Sequence, residues 1–418
     1  MKQNDEIIFE QSQYSLEDLE QFRDENGFID LTKAGIKFSK DTREGIGNQD
    51  RVKNWVNFNG VKALIKGEAM LGEQKNYGIY AELIVEEMAR KLGIPAAHYD
   101  LVKMLDENGE EKQGVLSVSV LDIENKEQLV SLNSLIGTEP DPEGEISDTT
   151  SFEFTIKRLE AELAHQEYDK DSIEKLILEY KKRTAFILAT ADTDKHPENI
   201  AFIVKKTPDG KEIELAPVFD SEASLLLNME RGLVDDLLQD YEAVVESTTM
   251  SDPRIAVMKD REEGGIGCPW ADTLETLTED DELYDYCSEV LGPDMNMDEV
   301  FENIERRIKA PLPENVKMFA KCVYQCRNQE FEKVLDGSFI DVYDSRIKKI
   351  SREDENFMKN LDDKDFMDNF LKNLIDKGTQ TLGLHELQNS PILKGPKEKN
   401  DMSKENEGDV RDDDGPNV

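Results

Sequence analysis

Cysteine is scarce in this chain, with four among 418 residues, at positions 268, 287, 322 and 326. They form no Cys-x-x-Cys pair, and no histidine stands beside them at the spacing of a metal ligand. Cys322 and Cys326 share a helical face with Phe319 and Val323, which favours core packing over a metal pair. We therefore expect reduced thiols and no cysteine metal site.

Long apolar runs are also missing. No stretch approaches the roughly 18 to 20 apolar residues that a membrane helix needs. Residues 1–6 contain no apolar core of the kind that a secretory signal has. We therefore expect a cytoplasmic protein that makes no membrane contact.

Basic residues are few compared with acidic ones, with 51 Lys and Arg against 92 Asp and Glu. A surface of this charge repels nucleic acid and anionic lipid, so direct nucleic-acid contact is not expected. The same charge would repel ATP, so a nucleotide site here would depend on Mg²⁺ and a few local cations. The chain length leaves room for two or three packing units and for a cleft between lobes.

Residues 52–121 have the pattern of a small β-rich lobe. Two strand-like runs, at 52–58 and 61–66, flank Asn59-Gly60, which is a strong hairpin signal. A helix is predicted over 79–92 with Gly93 as its stop, followed by strands at 99–105 and 114–121. One helix among four strands indicates a mainly antiparallel lobe.

Helical periodicity dominates the later part of the chain, including 154–165, 173–188, 300–308 and 316–335. The predicted fold class is α+β and bilobal, with a small, mainly antiparallel β N-lobe carrying one helix and a larger, mainly α C-lobe. We expect an N-terminal arm at 1–45, the N-lobe at 46–125, the C-lobe at 126–394 and a disordered acidic tail at 395–418.

Three polar residues stand around a predicted hairpin at 201–216. Asp194 and Asn199, five residues apart, follow a helix, and Asp220 comes just after the hairpin. This layout is typical of a kinase catalytic loop and its metal-binding aspartate. Asp194 would accept or orient the substrate proton, while Asn199 and Asp220 would bind Mg²⁺. A solvated acidic loop is the alternative interpretation.

Two further residues precede that loop in the order that phosphoryl transfer requires. Lys66 ends a strand pattern close to the Val-Ala-Ile-Lys that places a lysine on ATP phosphates. Glu82, sixteen residues later on the predicted helix, would hold this lysine through an ion pair. Gly45 and Gly47 could present backbone N–H groups to phosphate, although two glycines near a strand are also an ordinary turn.

These segments resemble the HipA-like serine/threonine kinases, whose fold is related to protein kinases and phosphoinositide kinases. Residues 192–199 read Asp-Thr-Asp-Lys-His-Pro-Glu-Asn, against Asn-Thr-Asp-x-His-x-x-Asn in that family. Residues 217–220 match its Pro-x-x-Asp, and the lysine strand and the Glu-bearing helix match as well. The motifs span about 52–225.

The resemblance implies Asp194 as catalytic base, Asn199 and Asp220 as Mg²⁺ ligands, and Lys66 with Glu82 at the ATP phosphates. It implies ATP and Mg²⁺ as cofactors, with a protein substrate and an antitoxin-like regulator as partners. Asp192 departs from the pattern by adding a negative charge beside the metal. Only about fifty residues precede the first predicted strand, so we expect the separate N-terminal subdomain of the toxin members to be absent. That argues against a toxin role.

The leading functional hypothesis is an ATP- and Mg²⁺-dependent kinase that phosphorylates a Ser or Thr hydroxyl of a protein. The alternatives are a nucleotide-binding pseudokinase or scaffold, and a kinase-fold enzyme that uses a non-protein hydroxyl or transfers AMP. An Asp-based phosphohydrolase would need a strand before Asp192 and a hydroxyl residue at position 196, where histidine stands.

Overall fold

The N-lobe is organised around the predicted hairpin at Asn59-Gly60. Both residues have positive φ, 51° and 100°, as a two-residue type I′ turn requires. The turn joins β3 (Lys53–Phe58) to β4 (Val61–Gly67). The computed structural model describes residues 10–36, 53–68, 70–71, 74–105, 109–121, 127–136, 152–195, 197, 199–207, 210–249, 280–291 and 295–335.

Six of the described strands form the main sheet of this lobe, in the order β1-β3-β4-β8-β7-β2. Strands β7 (Tyr99–Leu105) and β8 (Glu111–Val118) pair antiparallel with each other, and β8 pairs antiparallel with β4. Strands β5 (Met70–Leu71) and β6 (Gln74–Lys75) form a separate small hairpin. The predicted antiparallel centre of the lobe is therefore present.

The N-terminal segment, which the sequence predicted to be an arm, contributes to the same sheet. Strand β1 (Glu10–Ser12) pairs parallel with β3, and β2 (Ile29–Asp30) pairs parallel with β7. A 3-10 helix at Glu17–Phe22 lies between them. Strands of two or three residues are too short for an alternating pattern to appear, so sequence reasoning did not find them.

The two faces of the sheet are covered differently. One face packs into a buried cluster that includes Leu19 and Leu31 of the N-terminal segment and Ile65 of β4. Neighbouring residues on a strand point to opposite faces, so Lys66 points to the other side, toward helix α1 (Gly78–Lys91). This arrangement directs the lysine away from the N-terminal segment.

Helix α1 is anchored to a later helix of the chain, α8 (Met297–Ile308). Asn303 Nδ2 donates to Glu87 Oε1 at 2.7 Å, and Arg307 Nη1 donates to Glu86 Oε1 at 2.6 Å. One continuous buried cluster includes Leu83 of α1 together with apolar residues of α8. Helix α1 is thereby held between the β-rich lobe and the helical part of the molecule.

The second lobe combines a small sheet with helices. Strands β9 (Gln128–Ser131), β10 (Ala201–Thr207) and β11 (Gly210–Leu215) form an antiparallel sheet in the order β11-β10-β9. The remaining described helices are α2 (Leu132–Ile136), α3 (Phe152–His165), α4 (Lys170–Ala189), α5 (Arg231–Leu237), α6 (Tyr241–Thr249), α7 (Asp281–Val290) and α9 (Glu314–Leu335). The predicted bilobal α+β architecture is confirmed.

Cys322 and Cys326 pack against the core as predicted. Cys287 and Cys326 are buried as free thiols, and Cys322 is partly buried against the same core. Burial raises the pKa of Cys326 to about 11. Cys268 lies outside the described residues, as does the predicted tail at 395–418. Across the described helices, none is both long enough and apolar enough to cross a membrane.

Candidate active site

Lys66 and Glu82 form a buried ion pair between strand β4 and helix α1. Lys66 Nζ donates to Glu82 Oε1 at 2.8 Å, and the side chains are 5% and 1% exposed. Burial alone lowers the pKa of Lys66, but the nearby carboxylates of Asp220, Glu82 and Glu222 outweigh it and raise this pKa well above its usual value. The lysine is therefore charged at neutral pH.

Asp220 meets the same lysine from the second lobe. Its Oδ1 accepts from Lys66 Nζ at 2.5 Å. The backbone of Asp220 is left-handed, with φ of 57°, and its N–H donates to the Tyr99 hydroxyl at 2.9 Å. Ser221 N–H donates to Glu82 Oε2 at 2.7 Å. Glu82 thus binds both the lysine and the backbone that follows Asp220.

The loop with Asp194 follows helix α4, whose end is marked by a left-handed residue, Ala191, with φ of 48°. Asn199 Nδ2 donates to the Asp194 main-chain oxygen at 2.7 Å and lies 3.4 Å from Asp194 Oδ2. With its amide nitrogen used in this way, Asn199 keeps its amide oxygen available as a ligand. Asp194 and Asn199 are both partly exposed.

Asp192 is the buried centre of this loop. Its Oδ1 accepts from the Asp194 N–H at 3.1 Å, and its Oδ2 accepts from Ser224 Oγ at 2.8 Å. Lys195 Nζ lies 3.2 Å from Asp192 Oδ2. The sequence indicated an added negative charge beside the metal; in the structure this charge is matched by a buried lysine.

Carboxylates converge where a divalent cation would be held. Oxygen atoms of Glu82, Asp220 and Glu222 all lie within 4.8 Å of one another. Carboxylate and amide oxygens are the donors that Mg²⁺ prefers. Asp220 lies in this cluster, and its carboxylate oxygens, like the amide oxygen of Asn199, are donors of the kind that Mg²⁺ binds.

A cavity of about 760 Å³ lies beside the connector at 119–121, which follows β8. Lys62 of β4 contributes to its wall, as do Ile203, Leu215 and Pro217 from the hairpin and the residues after it. None of the predicted site residues that the structure describes lines this cavity. Lys62 stands four positions before Lys66 on the same strand, about 13 Å along it, so the cavity and the ion-pair cluster share strand β4.

The sequence of residues 37–258 matches the family described as HipA-like C-terminal domain, over more than half of the chain. The chain belongs to this HipA-like C-terminal domain family. A comparison of this HipA-like sequence with curated proteins gave no match.

The fold of this HipA-like chain is supported by its similarity to a solved kinase structure. The proinflammatory kinase CtkA of Helicobacter pylori is 17% identical, with a TM-score of 0.54 over 73% of this chain and 98% of CtkA. HipA of Shewanella oneidensis, solved with HipB and operator DNA, is 15% identical, with a TM-score of 0.41 over 72% of this chain and 67% of that HipA. The predicted HipA-like family and kinase-like fold are confirmed.

The roles of the predicted site residues stay predictions, as do ATP, Mg²⁺ and the antitoxin-like regulator. The structure joins Lys66, Glu82 and Asp220 directly, and Asp194 with Asn199. Gly45 and Gly47 lie outside the described residues. Sequence reasoning missed Tyr99, since its contact with Asp220 spans 121 positions. It also missed the partnership of Asp192 and Lys195, although their i,i+3 spacing was a local signal.

Proposed function

We propose that this HipA-like chain is an ATP- and Mg²⁺-dependent kinase that transfers the γ-phosphoryl group to a Ser or Thr hydroxyl of a protein. The observation that carries the proposal is the position of Lys66, whose ammonium contacts Glu82 of the N-lobe and Asp220 of the C-lobe together. A cation held between two lobes beside a metal-type carboxylate suits the charge of nucleotide phosphates.

Each residue has a defined part in the proposed reaction. Lys66 would bind the α and β phosphates and Glu82 would hold it in place, while Asp220 and Asn199 would bind Mg²⁺. The metal would supply neutralisation of charge on the phosphate oxygens. Gly45 and Gly47 would offer backbone N–H groups to the phosphates.

The chemical step is an in-line displacement. The substrate hydroxyl oxygen forms a bond to the γ phosphorus as the bond from phosphorus to the β,γ-bridging oxygen breaks. The hydroxyl proton goes to the Asp194 carboxylate, and ADP leaves with the electron pair of the broken bond. Asn199, itself a proposed metal ligand, donates a hydrogen bond to the Asp194 main-chain oxygen. This bond would fix the position of the base relative to the proposed metal site.

The cavity beside residues 119–121 supports a nucleotide substrate. Its volume of about 760 Å³ lies within the range of small-molecule sites, roughly 300 to 1,000 Å³. Its walls include the apolar residues Val120, Ile203 and Leu215. A flat base could lie among these side chains while its phosphates extend along β4 from Lys62 toward Lys66.

Transfer from γ-labelled ATP with Mg²⁺ to the protein itself or to a generic protein substrate tests the proposal. The Asp194→Ala variant should lose about 10² to 10⁴ in rate, because a positioned base typically contributes that much. Asp171→Ala, which removes an exposed carboxylate from the first turn of α4, should keep the wild-type rate. Both variants should show wild-type circular dichroism.

Other outcomes would favour other functions. ATP binding without any transfer by the wild type would indicate a pseudokinase or scaffold. Labelling from α-labelled but not from γ-labelled ATP would indicate AMP transfer, and labelling of small hydroxyl compounds alone would indicate a non-protein substrate. An Asp194→Ala variant with the wild-type rate would contradict the assignment of the base.

A further inference from the structure

Lys195 connects the two segments that carry the proposed base and the proposed metal ligand. It follows Asp194 directly in the chain and is 3% exposed. Its ammonium donates to the Phe219 main-chain oxygen at 2.8 Å and also to the Asp220 main-chain oxygen. One buried cation thus bonds both carbonyls that flank the Asp220 amide group and α carbon.

The conformation of Asp220 explains why such a contact matters. A left-handed backbone at a residue with a side chain is uncommon and costs energy unless surrounding contacts hold it. The amide N–H of Asp220 is held by the Tyr99 hydroxyl, and its carbonyl is held by Lys195. Loss of the lysine would release one of these two restraints and let the carboxylate turn away from its place beside Lys66.

Asp192 supplies the opposite charge inside the loop. Its carboxylate is 1% exposed and lies 3.2 Å from Lys195 Nζ, and it also accepts from the Asp194 backbone and from Ser224. A buried carboxylate and a buried ammonium compensate each other, whereas removal of one leaves the other without a counter-ion. Asp192 and Lys195 therefore form one charge-balanced pair.

We propose that Lys195 is a positioning residue that holds Asp220 in its metal-binding orientation through main-chain carbonyls, with Asp192 as its counter-ion. The proposal rests on the proposed function, in which Asp220 binds Mg²⁺. Lys195 contributes to this arrangement in two ways, through its charge and through its hydrogen bonds. The charge of Lys195 balances Asp192, and its hydrogen bonds hold the segment of Phe219 and Asp220.

Three variants separate these properties. Lys195→Met removes charge and hydrogen bonds, and Lys195→Arg keeps a cation and donors. The Asp192→Asn, Lys195→Met double variant removes both charges, so it leaves no unmatched buried ion. The apparent Mg²⁺ affinity is read from calorimetric titration of ATP at a series of Mg²⁺ concentrations, and stability is read from urea unfolding.

Lys195→Met should weaken the apparent Mg²⁺ affinity about 10- to 100-fold, the usual loss when a residue that orients a metal ligand is removed. Lys195→Arg should recover most of this affinity. The double variant should regain the urea midpoint that Lys195→Met loses, yet keep the weakened Mg²⁺ affinity. A purely structural lysine would give the opposite result, with affinity returning alongside stability.

Hydrogen exchange without nucleotide or metal supplies a separate readout. Amides of a peptide spanning residues 217–224 should exchange faster in Lys195→Met and in the double variant, and at the wild-type rate in Lys195→Arg. Wild-type exchange and wild-type Mg²⁺ affinity in Lys195→Met would overturn the proposal. A wild-type protein without Mg²⁺-dependent ATP binding would instead overturn the proposed function, and the exchange rates would still show whether Lys195 holds Asp220.

Discussion

Lys66 Nζ lies 2.5 Å from Asp220 Oδ1, although the two residues are 154 positions apart in the sequence. The same ammonium lies 2.8 Å from Glu82 Oε1. Two buried or partly buried carboxylates therefore share one cation, and the lobes meet at that point. The contact between the lobes at this point and the proposed binding of nucleotide phosphates therefore both depend on the Lys66 side chain.

Replacement of Lys66 by methionine should reduce stability as well as nucleotide binding. Removing one member of a buried ion pair leaves an uncompensated charge, which costs about 3 to 5 kcal/mol. We expect a loss of this order in the free energy of unfolding, measured with urea at pH 7, and loss of ATP binding by calorimetry.

Lys62→Met is the matched control, since it removes a cation from the same strand at a half-buried position. It should change the free energy of unfolding by no more than about 1 kcal/mol. Equal losses of unfolding free energy in the two variants would show that β4 requires positive charge in general, and would contradict a special role for the shared ammonium in stability.

The junction between helices α1 and α8 should make stability depend on pH through Glu86. Its Oε1 lies 2.7 Å from His98 Nδ1 and accepts from Arg307 at 2.6 Å. Burial raises the pKa of Glu86, but these two partners outweigh burial and hold the pKa below its ordinary value. The unfolded chain then binds more protons near pH 4 than the folded chain does, so stability falls as the pH falls through this range.

Glu86→Gln should therefore lose about 2 kcal/mol of unfolding free energy at pH 7, because the charged acceptor is gone. Its deficit relative to the wild type should shrink as the pH drops below about 4.5, where the unfolded carboxyl takes up its proton. Glu299→Gln, which removes an exposed carboxylate paired with Lys91 in the same junction, should have little effect at either pH. Parallel pH curves for Glu86→Gln and the wild type would contradict this account.

A site residue could be predicted when a local sequence pattern marks it, but not when only a contact with a distant part of the chain does so. Lys66 and Glu82 each lie within a regular element with a clear local pattern, so their order along the chain predicted the pair. The question of which strands pair with each other has no comparable local signal in the sequence. A Cβ at Gly114 of β8 would lie 2.2 Å from the Lys66 main-chain oxygen, so β8 must have glycine at this position. Only the observed pairing of β4 with β8 reveals that need.

The short edge strands and the contact between Asp192 and Lys195 also lacked a sufficient local pattern in the sequence. Strands β1 and β2 have three and two residues, too few for an alternating pattern, and they exist because the sheet supplies partners. Asp192 was visible as a departure from the family pattern, but its neutralisation by Lys195 required the fold of the loop. Local sequence patterns therefore suggest candidate catalytic residues more readily than the residues that hold those candidates in place.

Tyr99 provides the last test, because its hydroxyl accepts the hydrogen bond of the left-handed Asp220 N–H at 2.9 Å. Tyr99→Phe would leave that N–H without this acceptor, which costs about 1 to 3 kcal/mol when the group is buried. We expect this loss in urea unfolding, together with slower phosphoryl transfer. Tyr168→Phe is the control, since within the described part of the chain the Tyr168 hydroxyl is buried and has no hydrogen-bond partner. It should unfold at or above the wild-type urea concentration; equal destabilisation by both variants would mean that the contact with Asp220 contributes nothing specific.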